Sequence, residues 1–293
     1  MNSSSASSSS RPGPGSSEHR FSQVDVFSGI AHGGNPVAVV HDAGNLSDGQ
    51  MAAFARWTNL SETTFLLPAE APGADYRLRI FTPGGELPFA GHPTLGSCHA
   101  WLEAGGVAQN AGAPVQECAV GLVELRRLDG RLAFAAPPLR RSGPLEPEVL
   151  EHALTGSGVS ADRVLDHQWV DNGPGWCALL LQTAVDVLGA KPDFARLRGL
   201  NLGLVGAHGA DSDVDFEVRA FVPDLGVPED PVTGSLNASI GQWLTAAGIA
   251  PTRYIAAQGT VLGRQGRVFV QAEANELWIG GETSTAISGS VSF

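Results

Sequence analysis

The chain has 293 residues, 43% of them hydrophobic and 16% charged, so it can bury a sizeable core and is not a long disordered polymer. At roughly 150 residues per domain, that length suggests two domains. Its 18 Lys+Arg against 30 Asp+Glu leave a net charge of −12, which argues against nucleic acid and anionic membrane surfaces as partners.

Single residue types narrow the chemistry further. Lys191 is the only lysine and precedes Pro192 in a predicted loop, which disfavours pyridoxal-phosphate and Schiff-base mechanisms. The cysteines, Cys98, Cys118 and Cys177, are too few and oddly numbered for a disulfide framework and form no CxxC metal pair. A reduced, cytoplasmic setting is expected. No apolar run approaches the roughly 20 residues of a membrane span.

In chain order, residues 1–20 are expected to be a disordered tail. Positions 1–17 are Ser/Gly/Pro-rich and lack the apolar segment of a secretory signal. Alternation predicts strands over 21–27 and 36–41, with a turn at Gly33-Gly34-Asn35-Pro36 between them. Ser47 and Gln50 have capping-box spacing, so a helix should run from there to about Trp57. Strands follow at 62–67 and 76–81. A long loop then leads to a helix beginning near Gly91-His92-Pro93 and ending at Gly105-Gly106. Strands are expected over 119–128 and 131–135, and the Pro/Arg-rich stretch 137–147 reads as a linker. Beyond it the pattern predicts helices near 148–154 and 194–200, and strands near 177–182 and 214–221. A helix over 234–247 and strands at 268–273, 277–279 and 285–291 complete the chain.

An internal echo links the halves. Arg79-x-Phe81-x-Pro83 and Arg219-x-Phe221-x-Pro223 each lead through a loop to a glycine. Trp-Leu follows Gly91 and Gly234 at nearly equal spacing, and each helix then ends in Ala/Gly. Two similar domains, each presenting a helix N-terminus to a shared cleft, would bind a carboxylate with free backbone N–H groups and helix dipoles.

Four side chains fall near that cleft. Glu62 is the one acid in the uncharged stretch 60–67, where desolvation would raise its pKa and suit it to carbon-proton transfer; an exposed strand-edge glutamate is the equal alternative. His92 at a helix start should be a neutral imidazole, though a lone histidine is more often structural. Asp230 could orient His92 or bind a substrate amine. Ser235 could cap its helix or bind a substrate oxygen. Trp57 is expected in a helix interface, with narrowing of the pocket as the alternative. No GxxxxGK[ST], HExxH, GxSxG or GxGxxG pattern occurs.

The blocks VDVFSG…GNPVAVV, NLSETTFLL, FTPGGELPFAGHPTLGS, FVPDLGVPEDPVTGSLNAS and QGTVLGRQGRVFV…LWIGG run in order along nearly the whole ordered chain. Together they resemble the PhzF-like phenazine-biosynthesis family. The resemblance implies an α+β, diaminopimelate-epimerase-like fold of two pseudo-symmetric domains, each a curved mixed or antiparallel, barrel-like sheet around a central helix. It places them at 21–137 and 148–281, with strands from about 282–293 returning to the first. It further implies an active site between the domains, a homodimer, and no cofactor or metal. The family's acid/base glutamate falls on Glu62, its histidine on His92, its aspartate on Asp230 and its serine on Ser235. Asn35, Ser61, Gly91 and Gly234 match pocket-lining positions.

Related racemases and epimerases carry a cysteine at each helix start, where this chain has His92 and Ser235. A single acid/base favours an allylic proton shift over inversion of a stereocentre. The expectation is an isomerase moving a double bond in a small unsaturated carboxylate of secondary metabolism, such as a phenazine precursor or a pyrroline carboxylate of an alkylproline pathway. An amino-acid racemase or epimerase, and a non-catalytic binding protein of the same fold, are the alternatives.

Overall fold

The computed structural model describes residues 17–110, 113–225, 227–274 and 276–293. The first half contains β1 (Glu18–Val26), β2 (Asn35–Val40), α1 (Asp48–Thr58), β3 (Glu62–Leu67), β4 (Tyr76–Thr82) and β5 (Gly85–Leu87). It continues through α2 (Gly91–Glu103), β6 (Val115–Cys118), β7 (Gly121–Leu128) and β8 (Arg131–Ala135) and ends with β9 (Arg141–Gly143). The second half contains α3 (Pro147–Ser157), β10 (Val164–Asp171), β11 (Trp176–Leu181), α4 (Ala184–Gly189) and β12 (Asn201–Ala207). Then come β13 (Phe216–Phe221), β14 (Glu229–Asp230), α5 (Gly234–Ala246), β15 (Arg253–Gln258), β16 (Gly266–Glu273), β17 (Glu276–Gly281) and β18 (Thr283–Ser292).

The α+β architecture is doubled, and strand pairing shows it directly. β2–β3 and β11–β12 are the matching parallel pairs, as are β4–β6 and β13–β15. β5 and β14 attach to the ends of β4 and β13 in the same register: Phe81 faces Glu86, and Phe221 faces Glu229. The halves exchange their last strands. β9 pairs with β10, and β18 pairs along all of β1. β8 pairs antiparallel with β17, joining the two sheets. Each sheet wraps one central helix. Nine of the 13 residues of α2 are buried, and likewise of α5, which is why neither helix carries a charge before Glu103.

The repeated Arg-x-Phe motif has one geometry in two environments. Arg219 makes a bidentate pair with Glu229 at 2.8 and 2.8 Å, fully inside the second half, with Arg219 also donating to the carbonyls of Val187 and Ala190. Arg79 pairs with Glu86 at 2.7 and 2.7 Å near the surface. Each guanidinium also lies over the phenylalanine two residues on.

Several elements depart from the sequence reading. β1 begins at Glu18 rather than Phe21, because residues 18–20 pair with β18 and Ser17 exchanges backbone hydrogen bonds with Phe293; residues 1–16 of the expected tail lie outside the described residues. The loop after Phe81 holds the short hairpin strand β5, whose turn is tied by Thr82 Oγ1 accepting from Gly84 and Gly85 N–H. The strand expected at 119–128 is β7, and an unexpected strand, β6, precedes it as its hairpin partner, with Gly121 at φ 107° after the turn. The linker contains β9. Residues 194–200 form turns rather than a helix: Asp193 Oδ1 accepts from the N–H groups of Ala195 and Arg196, and the chain turns away at Gly199 with φ 82°. Trp57 is 79% exposed and stacks on Phe54 of its own helix, so it does not pack between helices. No helix among the described residues is long and apolar enough to cross a membrane.

The duplicated ion pair yields a paired prediction. Glu229→Ala leaves a buried, unpaired guanidinium and should cost roughly 3–5 kcal/mol in urea denaturation. Glu86→Ala should cost about 1 kcal/mol or less, because its pair is screened by water and Arg79 retains Asp48.

Candidate active site

The central helices meet end to end. A Cβ added at Gly91 would lie 3.3 Å from Gly234 Cα and 2.5 Å from the Phe134 ring; one at Gly234 would lie 3.2 Å from Gly91 Cα. Glycine at both positions lets the backbones approach this closely; a side chain at Gly91 would displace the Phe134 ring, and one at Gly234 would press on the Gly91 backbone. The first N–H groups of both helices lack intrahelical partners and converge here.

Glu62, the first residue of β3, stands beside this junction. Its Oε2 lies 3.4 Å from His92 Nε2, and both atoms are buried with no hydrogen-bond partner. The Glu62 side chain is 15% exposed and that of His92 is 5%. Burial, reinforced by the charge of Asp230, pushes the Glu62 carboxyl well above the usual carboxylate range. Burial drives His92 down to about 3 against a hydrogen bond to the Pro36 carbonyl, so the imidazole is neutral. Their contact is therefore not an ion pair, and its length exceeds that of a good hydrogen bond.

Asp230 reaches the same place from β14 in the second half. Asn35 Nδ2 donates to its Oδ1 at 2.9 Å and the Thr233 hydroxyl to its Oδ2 at 2.6 Å. Burial raises its pKa to about 6, with both hydrogen bonds opposing the shift. The two acids thus differ in kind: Asp230 has two donors, and Glu62 Oε2 has none. Asn35 is held for this task by Asp25, whose carboxylate accepts from Gly34 N–H in the preceding turn. The Asn35 amide also donates to the Val232 carbonyl at 3.0 Å, which leaves its Oδ1 buried and free.

The structure therefore brings together Glu62, His92, Asp230 and Asn35, with Gly91 and Gly234 at the helix junction. Ser61 is the half-buried residue just before β3. Ser235 lies in the first turn of α5, where its hydroxyl accepts from Trp176 Nε1 at 3.0 Å; the helix N-cap is Thr233. Asp230 is hydrogen-bonded to Asn35 and Thr233 and not to His92, and Ser235 is not the cap of its helix, so of the expected alternatives it is the orienting role of Asp230 and the capping role of Ser235 that are not met. Trp176, Thr233 and Gln258 support the site and were not singled out from the sequence. Only the adjacency of Thr233 to Gly234 signalled any of them.

All three thiols stand apart. Cys98 lies two turns into α2 and Cys177 in β11, and burial pushes each up to about 12. Cys118 closes β6. A cavity of about 720 Å³ lies beneath the C-terminal end of α2, lined by His19, His41, Tyr76 and Trp101 among others, and contains none of the site residues. No group of three or more potential ligands among the described residues is placed to hold a metal.

A sheet-wrapped pair of helices with acids at their meeting point defines a class, and comparison gives the family. A profile described as phenazine biosynthesis-like protein matches residues 24–290. Antisense-enhancing sequence 1 of Schizosaccharomyces pombe is 40% identical, covering 93% of this chain and 98% of its own. A trans-2,3-dihydro-3-hydroxyanthranilate isomerase of Pseudomonas fluorescens is 33% identical over 87% of this chain and 91% of its own. A PhzF-family crystal structure from Enterococcus faecalis superposes with a TM-score of 0.77 at 26% identity, covering 94% of this chain and 99% of its own. The chain belongs to the PhzC-PhzF family, and it is an isomerase.

The raised carboxyl has a stability consequence. Glu62 folded binds its proton above the unfolded value of 4.5, so its contribution to stability falls as pH rises from there through the folded pKa. Glu62→Gln removes that loss. Its urea midpoint should exceed that of the parent protein at pH 8, and the difference should vanish near pH 4, where the carboxyl is protonated in both states.

Proposed function

We propose that this isomerase shifts a carbon–carbon double bond by proton transfer in a small unsaturated carboxylate. The observation that carries the reading is Glu62: a buried acid whose free oxygen faces a neutral imidazole beside two helix N-termini. Its ionised form removes a proton from a carbon activated by conjugation, and its protonated form returns a proton further along the same face. His92 stays neutral and can pass a proton or hold a substrate oxygen. The converging N–H groups bind the carboxylate and take up charge that spreads into it as the proton leaves. Asp230 and the free oxygen of Asn35 accept from donor groups of the substrate.

The substrate class that fits is a cyclic, unsaturated amino or hydroxy acid. The named isomerase relatives support a dihydroaromatic acid in particular. The remote, buried thiols speak against a two-thiol racemase. Catalysis in this scheme asks for no cofactor.

The test is proton NMR in D2O with a panel of dihydroaromatic and pyrroline carboxylic acids. A displaced double bond with deuterium at the receiving carbon is expected. Glu62→Gln should lower turnover by at least about two orders of magnitude. Full turnover in that variant, or exchange at an α-carbon with loss of optical activity, would overturn the assignment.

A further inference from the structure

Gln258 is the last residue of β15 and is completely buried. Its side-chain amide uses all four hydrogen-bond positions on one short segment. Oε1 accepts from Thr233 N–H at 3.0 Å and from Asn237 Nδ2 at 2.8 Å. Nε2 donates to the Asp230 carbonyl at 3.0 Å and to Thr233 Oγ1 at 2.9 Å. No other side chain holds both the strand that carries Asp230 and the start of α5 in this way among the bonds described.

The direction of these bonds is fixed. Oε1 faces two N–H donors, so the amide cannot be turned over, and Nε2 can only donate. Thr233 Oγ1 therefore accepts from Gln258, and its own proton goes to Asp230 Oδ2. Asn35 is fixed in the same way. Its Nδ2 faces the Val232 carbonyl, so it must donate to Asp230 Oδ1. Both oxygens of Asp230 are thus met by donors, and such an arrangement favours the carboxylate over the acid.

We propose that Gln258 is a positioning residue that acts through Thr233 to keep Asp230 ionised, so that the proton shared by the two site acids resides on Glu62. Glu62 on β3 is near enough for the charge of Asp230 to raise it, and His92 beside Glu62 is neutral, so neither supplies Asp230 with a cation. The neighbouring Glu229 is neutralised by Arg219 of β13. Arg264, on the turn after β15, has its guanidinium bound to the His32 carbonyl. The hydrogen bonds from Thr233 and Asn35 are then what counters the desolvation of Asp230.

The inference rests on the isomerase reading only for its effect on turnover, so the test separates the two. The full chain is labelled with carbon-13 at aspartate side-chain carboxyls, and Asp230 is assigned by its disappearance in Asp230→Asn. Gln258→Leu and Thr233→Val should each raise the Asp230 titration midpoint by about one pH unit, and Thr233→Ser should restore it. The double variant should shift it no further than either alone. In the turnover assay, the acid limb of kcat/KM should move to higher pH with the midpoint. An Asp230 midpoint unchanged in folded Gln258→Leu or Thr233→Val would overturn the proposal, as would equal loss of activity at every pH with no shift. If Gln258→Leu does not fold, the Thr233 pair decides. A shifted midpoint in a protein that isomerises nothing in the panel would uphold this inference and count against the proposed reaction.

Discussion

Everything about the site depends on the close approach of Gly91 and Gly234. Two helices placed end to end turn their positive poles toward one spot. That arrangement is unfavourable for the empty protein, because each N-terminus carries roughly half a positive charge. The fold bears it because the halves are locked elsewhere. β8 and β17 pair across the join, β9 and β18 are exchanged, and the Phe134 ring packs beside Gly91. A negative group placed at the junction relieves the repulsion. A chain with net charge −12 can therefore attract an anion locally without a basic patch.

The scaffold is symmetric and the chemistry is not. Register identifies equivalent positions. Val37 faces Glu62 in the first half, and Trp176 faces Asn201 in the second, so Asn201 is the counterpart of Glu62. Ile80 faces Leu87, and Ala220 faces Asp230, so Leu87 is the counterpart of Asp230. His92 and Ser235 occupy the same helix position. Each half thus contributes one acid, and at each equivalent position the other half is neutral. The two acids then receive different partners: burial raises both carboxyls, and only at Asp230 do hydrogen-bond donors oppose the rise.

Much of this was legible in sequence where a local signal existed. The Ser47 capping box, the strand carrying Glu62, both glycine-started helices and the Arg-x-Phe-x-Pro echo all depend on residues near one another in the chain. What was missed depends on pairing between distant segments. β10 mixes His, Gln, Trp and Asp without clean alternation, and β12 is a buried run broken by Gly203 and Gly206, so periodicity marks neither. β5, β9 and β14 are two or three residues long and exist only because a neighbouring strand pairs with them. Gln258 lies 28 residues from Asp230 and 25 from Thr233, and β13–β15 pairing brings it there. The sequence names the acids, while the groups that set their protonation are supplied by topology.

Those assignments give the proposed reaction a division of labour. An ionised Asp230 raises the affinity of Glu62 for a proton, which makes the Glu62 carboxylate a stronger base for a weakly acidic carbon. The cost is a smaller ionised fraction at a given pH, and a bound substrate carboxylate alone would reduce it further. The helix ends act in the opposite sense. They offset the substrate's negative charge and hold the charge that spreads through the conjugated system once the proton has moved to Glu62. Base strength and charge stabilisation thus come from different elements. Burial does not oppose either, because the neutral His92 adds no charge that would need to be desolvated or that would bind Glu62 as an ion pair. A protonated imidazole at that position would hold the Glu62 carboxylate at low pKa and remove the basicity the proton shift requires.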